Sequence, residues 1–329
     1  MQIQLQYSCI RMPYCRFPKR RGAIPFLFLL LLLQGLLVLL PIVSSSSPPT
    51  STIVPQKKHF LSCNWKGSLE TTNEVDSLVD DLNRMWRHQL TPAQKEAVLL
   101  CVHPPYCFLD RVRSKLDSAI EVGSQNVLDA TAPSGPLSGP SPNTGSTTPK
   151  MLKAVGCDWV LLGHSDRRNN LGETDPLIGD KIRQSLDVGD GKDGLKVTLT
   201  IGELAWQRRW GRALPTLRKQ LNALIQNVHH PDEWDRIVVA YEPVWAVGDG
   251  AVPCSPQEAQ RVHAALRAFL TKQVGAEAAQ KCRFVYTGSV NEDNAAAYAP
   301  LQDVQGFVVG RAGLDTTKLR SILVALAEN

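Results

Sequence analysis

The sequence predicts a (β/α)8 barrel, an α/β fold forming one domain at 57–329 behind a hydrophobic N-terminal leader at 1–56. Three observations carry this. Short apolar runs alternate with amphipathic stretches from residue 57 to the end of the 329-residue chain, and there are eight such pairs. Eight strands each followed by a helix fit a closed parallel barrel better than an open sheet. A doubly wound sheet with a nucleotide fold is disfavoured, because no GxGxxG follows the first strand.

The eight apolar runs are, in order, HFLSC (59–63), AVLLCV (97–102), EVGSQNV (121–127), CDWVLLG (157–163), KVTLTIG (196–202), RIVVAY (236–241), RFVYTG (283–288) and GFVVG (306–310). Between them lie segments whose apolar residues recur near every 3.6 positions. VDSLVDDLNRMW (75–86) and LPTLRKQLNALIQNV (214–228) are the clearest of these helices.

The leader reads as a targeting device. Basic residues between 16 and 21 precede an apolar run at 23–43, twenty-one residues whose only strongly polar member is Gln34. The core of a cleavable signal is usually shorter, roughly 7 to 15 residues, and a spanning helix needs roughly 20. The run therefore suits either a long signal core or an anchor, and membrane contact is expected only through 23–43 if it stays uncleaved. The Ser/Pro-rich tail SSSSPPTSTIVPQKK that follows has the make-up of a transit peptide or linker. Entry into the endomembrane system is the expectation, with a plastid reached through a two-part leader as one destination.

Charge and cysteine content narrow the class further. The leader holds five cations and no acid, leaving 31 basic against 31 acidic residues in the remainder. A neutral folded body lacks the basic face that nucleic-acid binding needs, so no nucleic-acid partner is expected. The six cysteines beyond the leader, Cys63, Cys101, Cys107, Cys157, Cys254 and Cys282, form no CxxC. Several sit inside strand-like runs, where a thiol acts as a small buried apolar group.

In a parallel barrel the functional groups gather at the carboxyl ends of the strands, where the βα loops converge. Strand one ends in CNWKG, with Asn64 and Lys66. Strand four ends in GHSDRR, with His164 and Asp166, and strand six ends on Glu242 in AYEPVWAVGDG. Strands seven and eight end in YTGSV and VVGRAG, and with Gly248 they contribute Ser289, Gly310 and Arg311. Small residues there let backbone N–H groups approach an anion, and the loops after strands seven and eight are where such barrels hold phosphate. Each group has a structural explanation when taken alone: a surface carboxylate, a satisfied histidine, a solvated lysine. Their coincidence at the ends of different strands points to a small phosphorylated substrate and proton transfer.

Those segments, NWK, GHSDRR, AYEPVWAVGDG, YTGSV and GFVVG, resemble the signatures of the triosephosphate isomerase family in order and spacing, from about residue 58 onward. GET (172–174), IGE (201–203) and QRVHAALR (260–267) match as well. The resemblance implies interconversion of dihydroxyacetone phosphate and glyceraldehyde 3-phosphate through an enediolate. Glu242 would be the base and His164 the neutral imidazole that polarises the carbonyl, a pairing already known for that enzyme. Lys66 would offset negative charge, Asn64 would donate to the reacting oxygen, and Asp166 would orient Lys66. Phosphate would rest on backbone N–H groups of Gly248, Ser289, Gly310 and Arg311, beneath a lid at 246–250 hinged on Pro243–Trp245. The chemistry needs no metal or organic cofactor, and the family forms homodimers.

Four departures accompany the resemblance. Asp166 stands where a glutamate is usual, which shortens its reach toward Lys66. Asp249 brings a negative charge into the lid. Arg311 replaces a glycine, either pairing with phosphate or obstructing it. Residues 128–149 expand the loop that bridges the dimer. Two other functions stay open: a phosphate-binding barrel that serves as a binding module, and a barrel enzyme acting on a different sugar phosphate.

Overall fold

A computed structural model of the chain describes residues 58–127, 144–189, 193–248 and 250–329. The leader, its apolar run and most of the expanded loop lie outside the described residues, as does Asp249. Eight parallel strands close into a barrel in sequence order. They are β1 (His59–Asn64), β2 (Val98–His103), β3 (Glu121–Ser124), β4 (Trp159–Leu162), β5 (Lys196–Ile201), β6 (Ile237–Tyr241), β7 (Arg283–Thr287) and β8 (Gly306–Val309). Closure is made by β1 pairing with β8, where Cys63 lies opposite Val309.

The largest departure from the apolar pattern is β3, which ends at Ser124 although the run continues to Val127. The chain leaves the sheet because the Ser124 hydroxyl donates to the Asn126 carbonyl at 2.6 Å. Gln125 is then free to reach the backbone of neighbouring strands. Among the described residues no helix is long and apolar enough to cross a membrane.

Side-chain alternation divides the apolar residues between two cores. One parity faces the helices. On the first helix, Thr72–Arg84, Val75, Leu78, Val79 and Leu82 are buried, the three-and-four spacing of one helical face. Its start is set by Thr71, which accepts from the Glu74 amide, while Glu74 reaches back to the Thr71 amide. Helix 213–225 presents Leu217, Leu221 and Leu224 in the same way.

The other parity fills the barrel. Phe60, Cys101, Trp159, Val238, Ala240, Val285 and Val308 form this inner cluster, with the Phe60 and Trp159 rings 4.6 Å apart. Continuing that parity upward carries each strand to its functional end: Phe60 and Ser62 lead to Asn64, Val238 and Ala240 to Glu242, and Val308 to Gly310. The inward alternation thus aims these positions at one mouth.

Two glycines allow close approaches that shape this interior. A Cβ at Gly202 would lie 1.9 Å from the Glu242 carbonyl oxygen, so only glycine lets the β5 and β6 ends meet there. A Cβ at Gly123 would lie 2.3 Å from the His103 ring, so the imidazole occupies space that a larger neighbour would take. His103 is fully buried, and its Nδ1 lies 3.1 Å from the Ser124 carbonyl. Burial lowers its pKa from 6.5 to about 4.

The sign of the resulting pH dependence follows from that depression. Between pH 6.5 and about 4 the unfolded chain takes up a proton that the native His103 refuses. Stability is therefore intact above 6.5 and falls as pH drops through this window. Urea midpoints measured from pH 7 to 4.5 are expected to fall less steeply in His103→Gln than in the parent. Equal slopes would remove His103 as a cause.

The thiols fit the reading of buried apolar groups, with one difference. All six beyond the leader are free, and five are buried, but Cys107 is exposed. Burial pushes the Cys157 and Cys254 thiols up to about 12.

Candidate active site

Glu242 follows β6 and is 2% exposed. Its Oε2 accepts from the Ser165 backbone N–H at 3.0 Å, and its Oε1 accepts from the Ser165 hydroxyl at 2.8 Å. The Oε1 atom also lies 3.5 Å from His164 Nε2. The acid after the sixth strand and the imidazole after the fourth thus face each other at the same mouth.

The hydrogen bonds of His164 assign its tautomer. The Asp166 backbone N–H donates to His164 Nδ1 at 3.1 Å. An amide nitrogen cannot accept, so Nδ1 carries a lone pair and the ring proton resides on Nε2. The imidazole is neutral and turns its N–H toward the cavity that Glu242 borders. The 3.4 Å approach of the Asp166 carboxylate to the same Nδ1 is then a contact between two acceptors and not an ion pair.

Lys66 reaches the site in an unusual conformation. Its φ of 51° makes it the one non-glycine residue among the described residues with left-handed backbone. Such strain costs about 1–3 kcal/mol and persists only where neighbours hold it. Here the Lys66 N–H donates to Asn64 Oδ1 at 3.0 Å, and Gln125 donates to the Lys66 carbonyl at 2.8 Å. Gln125 also donates to the His103 carbonyl at 2.9 Å, tying the ends of β1, β2 and β3 together.

The shorter acid at 166 reaches its partner after all. Lys66 Nζ lies 3.0 Å from Asp166 Oδ2, which corrects the expectation that losing a methylene weakens the contact. The start of the short helix Ser165–Asn170 brings the carboxylate close enough. Partial burial pushes the Asp166 carboxyl up, but the hydrogen bond and charge of Lys66 outweigh it and leave it below its ordinary value.

The four residues expected to hold phosphate sit at the ends of adjoining strands. Gly310 and Arg311 follow β8, where Arg311 is exposed and opens a 3-10 turn, and a Cβ at Gly310 would meet open space. The Ser289 hydroxyl donates to the Ala246 carbonyl at 2.9 Å, joining the loop after β7 to the lid. Gly248 has a φ of 116°, a backbone that side-chain-bearing residues rarely adopt.

Several site residues had no role in the sequence reading. Ser165 and Gln125 are two of them, and GHSDRR and the polar end of the third run were their only signals. Glu203, from IGE, anchors the lid hinge: it accepts from Trp245 Nε1 at 2.8 Å and from the Tyr241 hydroxyl at 3.1 Å. Burial pushes its carboxyl up against the opposing pull of those hydrogen bonds. Glu173, from GET, takes Arg167 at 2.6 Å and the buried Lys181 at 2.5 Å, securing the helix that begins at Ser165. His263, from QRVHAALR, is buried with its Nδ1 2.7 Å from the Ala259 carbonyl and lies outside the mouth.

Fold and site together define a (β/α)8-barrel enzyme whose polar groups converge at the carboxyl ends of its strands. The triosephosphate isomerase family profile matches residues 59–326. The chain is 40% identical to the chloroplastic triosephosphate isomerase of Fragaria ananassa over 82% of this chain and 78% of that protein. It is 39% identical to the chloroplastic enzyme of Arabidopsis thaliana over 81% and 76%, and 38% identical to the cytosolic enzyme of Stellaria longipes over 81% and 95%. The chain belongs to the triosephosphate isomerase family and is an isomerase.

Proposed function

We propose that the chain interconverts dihydroxyacetone phosphate and glyceraldehyde 3-phosphate by moving a proton between adjacent carbons through an enediolate. The observation that carries this reading is the buried Glu242 carboxylate 3.5 Å from the Nε2 of a neutral His164. A carboxylate removes a carbon-bound proton only where the oxyanion that forms is stabilised and water is kept away.

Glu242 takes the proton from one carbon and returns it to the next. The Nε2–H of His164 donates to the carbonyl oxygen as charge develops there. Lys66, steadied by Asp166 and Gln125, adds a positive charge beside it, and Asn64 donates a further hydrogen bond. The phosphate lies on the N–H groups of Gly248, Ser289, Gly310 and Arg311. Glu242 bonded to Ser165 is in a resting position: it must leave that hydroxyl and amide to reach substrate. Closure of the lid on the Pro243–Trp245 hinge drives out the water that would otherwise weaken it as a base.

Turnover in D2O tests the reading. Deuterium from solvent is expected at the carbon that receives the proton, and conversion without any incorporation would exclude a solvent-exchanging carboxylate base.

We further propose a homodimer and delivery to a plastid. Met151 and Leu171, 51% and 65% exposed, supply apolar surface for a second copy. A monomer mass by light scattering at micromolar concentration would overturn the dimer. For the plastid the support is the leader at 1–56, since the relatives include chloroplastic and cytosolic enzymes. Residues 1–57 fused to a fluorescent protein are expected to leave the cytosol, and a diffuse cytosolic signal would sink the idea.

A further inference from the structure

The turn AWQRRWGR at 205–212 follows β5 and stands at the rim of the mouth. Its backbone is closed on itself. The Trp210 N–H donates to the Trp206 carbonyl at 3.1 Å, the Gly211 N–H to the Arg208 carbonyl at 3.0 Å and the Arg212 N–H to the Gln207 carbonyl at 2.7 Å. Arg208 pins the turn to its neighbours, bonding Glu258 at 2.7 Å and lying 4.1 Å from the Trp245 ring centre. This fixed turn nonetheless holds out two indoles, Trp206 at 54% exposure and Trp210 at 73%. Residues four apart share a helical face, so both stand on one side. The other tryptophans are packed away: Trp65, Trp86, Trp159 and Trp234 are buried, and Trp245 is half-buried beneath Arg208.

Charge on this side of the mouth is just as uneven. From residue 204 to 231 the chain has five cations and no acid, although the folded part is neutral overall. The two carboxylates that pair with this stretch are each shared between two cations. Asp175 lies 2.7 Å from Arg168 and 4.0 Å from Lys219, and Glu258 lies 2.7 Å from both Arg208 and Arg261. Trp206 and Arg212 border the cleft that runs in to Ser165 and Glu242, so the turn adjoins the substrate mouth. Glu173 borders that cleft too, and Arg167 and Lys181 already bond it. Arg209 and Arg212, on either side of Trp210, are exposed and make no ion pair among the described residues.

An indole is apolar in body and polar at its N–H, which suits it to the headgroup level of a bilayer, and basic residues beside it are drawn to anionic lipids. A stable protein partner covers about 800 Å² on each side, and two indoles of roughly 150–250 Å² each, partly buried already, fall short of that. We propose that the turn at 205–212 is a membrane-docking surface, a contact beyond the one expected of residues 23–43. Trp206 and Trp210 enter the headgroup layer of an anionic bilayer, and Arg209 and Arg212 meet the lipid phosphates.

The inference stands apart from the isomerase reading, because docking is read without turnover. Residues 1–56 contain no tryptophan, so insertion of 23–43 into lipid gives no indole signal by itself. Full-length protein is mixed with vesicles of phosphatidylglycerol and brominated phosphatidylcholine, whose bromine quenches indoles that enter the bilayer. Quenching with a blue shift is expected, weakened by salt and lost on vesicles of brominated phosphatidylcholine alone. Trp206→Ala/Trp210→Ala is expected to abolish it and Arg209→Gln/Arg212→Gln to remove most of it. Circular dichroism and isomerase turnover of both variants are expected to match the parent. No quenching, equal quenching by the neutral vesicles, or full quenching in either double variant would overturn the proposal. So would an emission shift with polyglutamate or with rising protein concentration but none with vesicles, which would assign the turn to an acidic protein or to a second copy.

Discussion

Glu242→Gln is expected to lower kcat by roughly 10²–10⁴-fold, the range lost when a positioned general base is removed. Glutamine keeps the shape of the side chain and can still accept from Ser165, whose N–H and hydroxyl hold the carboxylate at 3.0 and 2.8 Å. Folding and substrate binding should therefore survive. A fall in kcat with little change in KM identifies an interaction made in the transition state. Steady-state kinetics in both directions read this out. A variant within a few-fold of the parent would place the proton transfer on another group. Ser165→Ala gives a complementary reading: it frees the carboxylate from its resting contacts without removing the base, so its effect on kcat should be far smaller.

Lys66→Met is expected to reduce kcat/KM by about 10²–10³-fold, the loss typical of one preorganised group that stabilises developing charge. Methionine keeps most of the length and removes the charge. The backbone at φ 51° stays anchored, because Asn64 and Gln125 hold the Lys66 amide and carbonyl rather than its side chain. The variant also leaves Asp166 without its 3.0 Å partner, so a carboxylate then faces the site alone. Lys66→Met/Asp166→Asn separates these effects. Recovery of most of the lost activity in the double variant would mean that the ammonium mainly silences Asp166. Persistent loss means that it acts on the substrate.

Much of this protein is legible along the chain. The eight apolar runs become eight strands within one or two residues at their ends, except at β3, because alternation and breaker residues are local properties. Glu242, His164, Lys66 and Asn64 stand out because each is a polar group at the carboxyl end of a buried strand; strand parity aims Asn64 and Glu242 at the mouth, whereas His164 follows the turn at Gly163 (φ 72°). The roles of Ser165, Gln125 and Glu203 were not legible. Their signal is a partner 77, 59 or 42 positions away, and sequence pattern does not report separations of that kind. Asp166 illustrates the same limit: counting methylenes argued for a weakened contact, and the position of the helix start cancels the difference.

The sequence by itself determined the barrel, the strand ends that carry chemistry and the neutrality of the folded body, since periodicity and residue type act over a few neighbours. Tertiary structure alone decided the resting contacts of Glu242 on Ser165, the hold of Gln125 on the left-handed turn at Lys66 and that of Glu203 on the lid hinge. Each of these depends on a hydrogen bond whose donor and acceptor meet only once the barrel has closed.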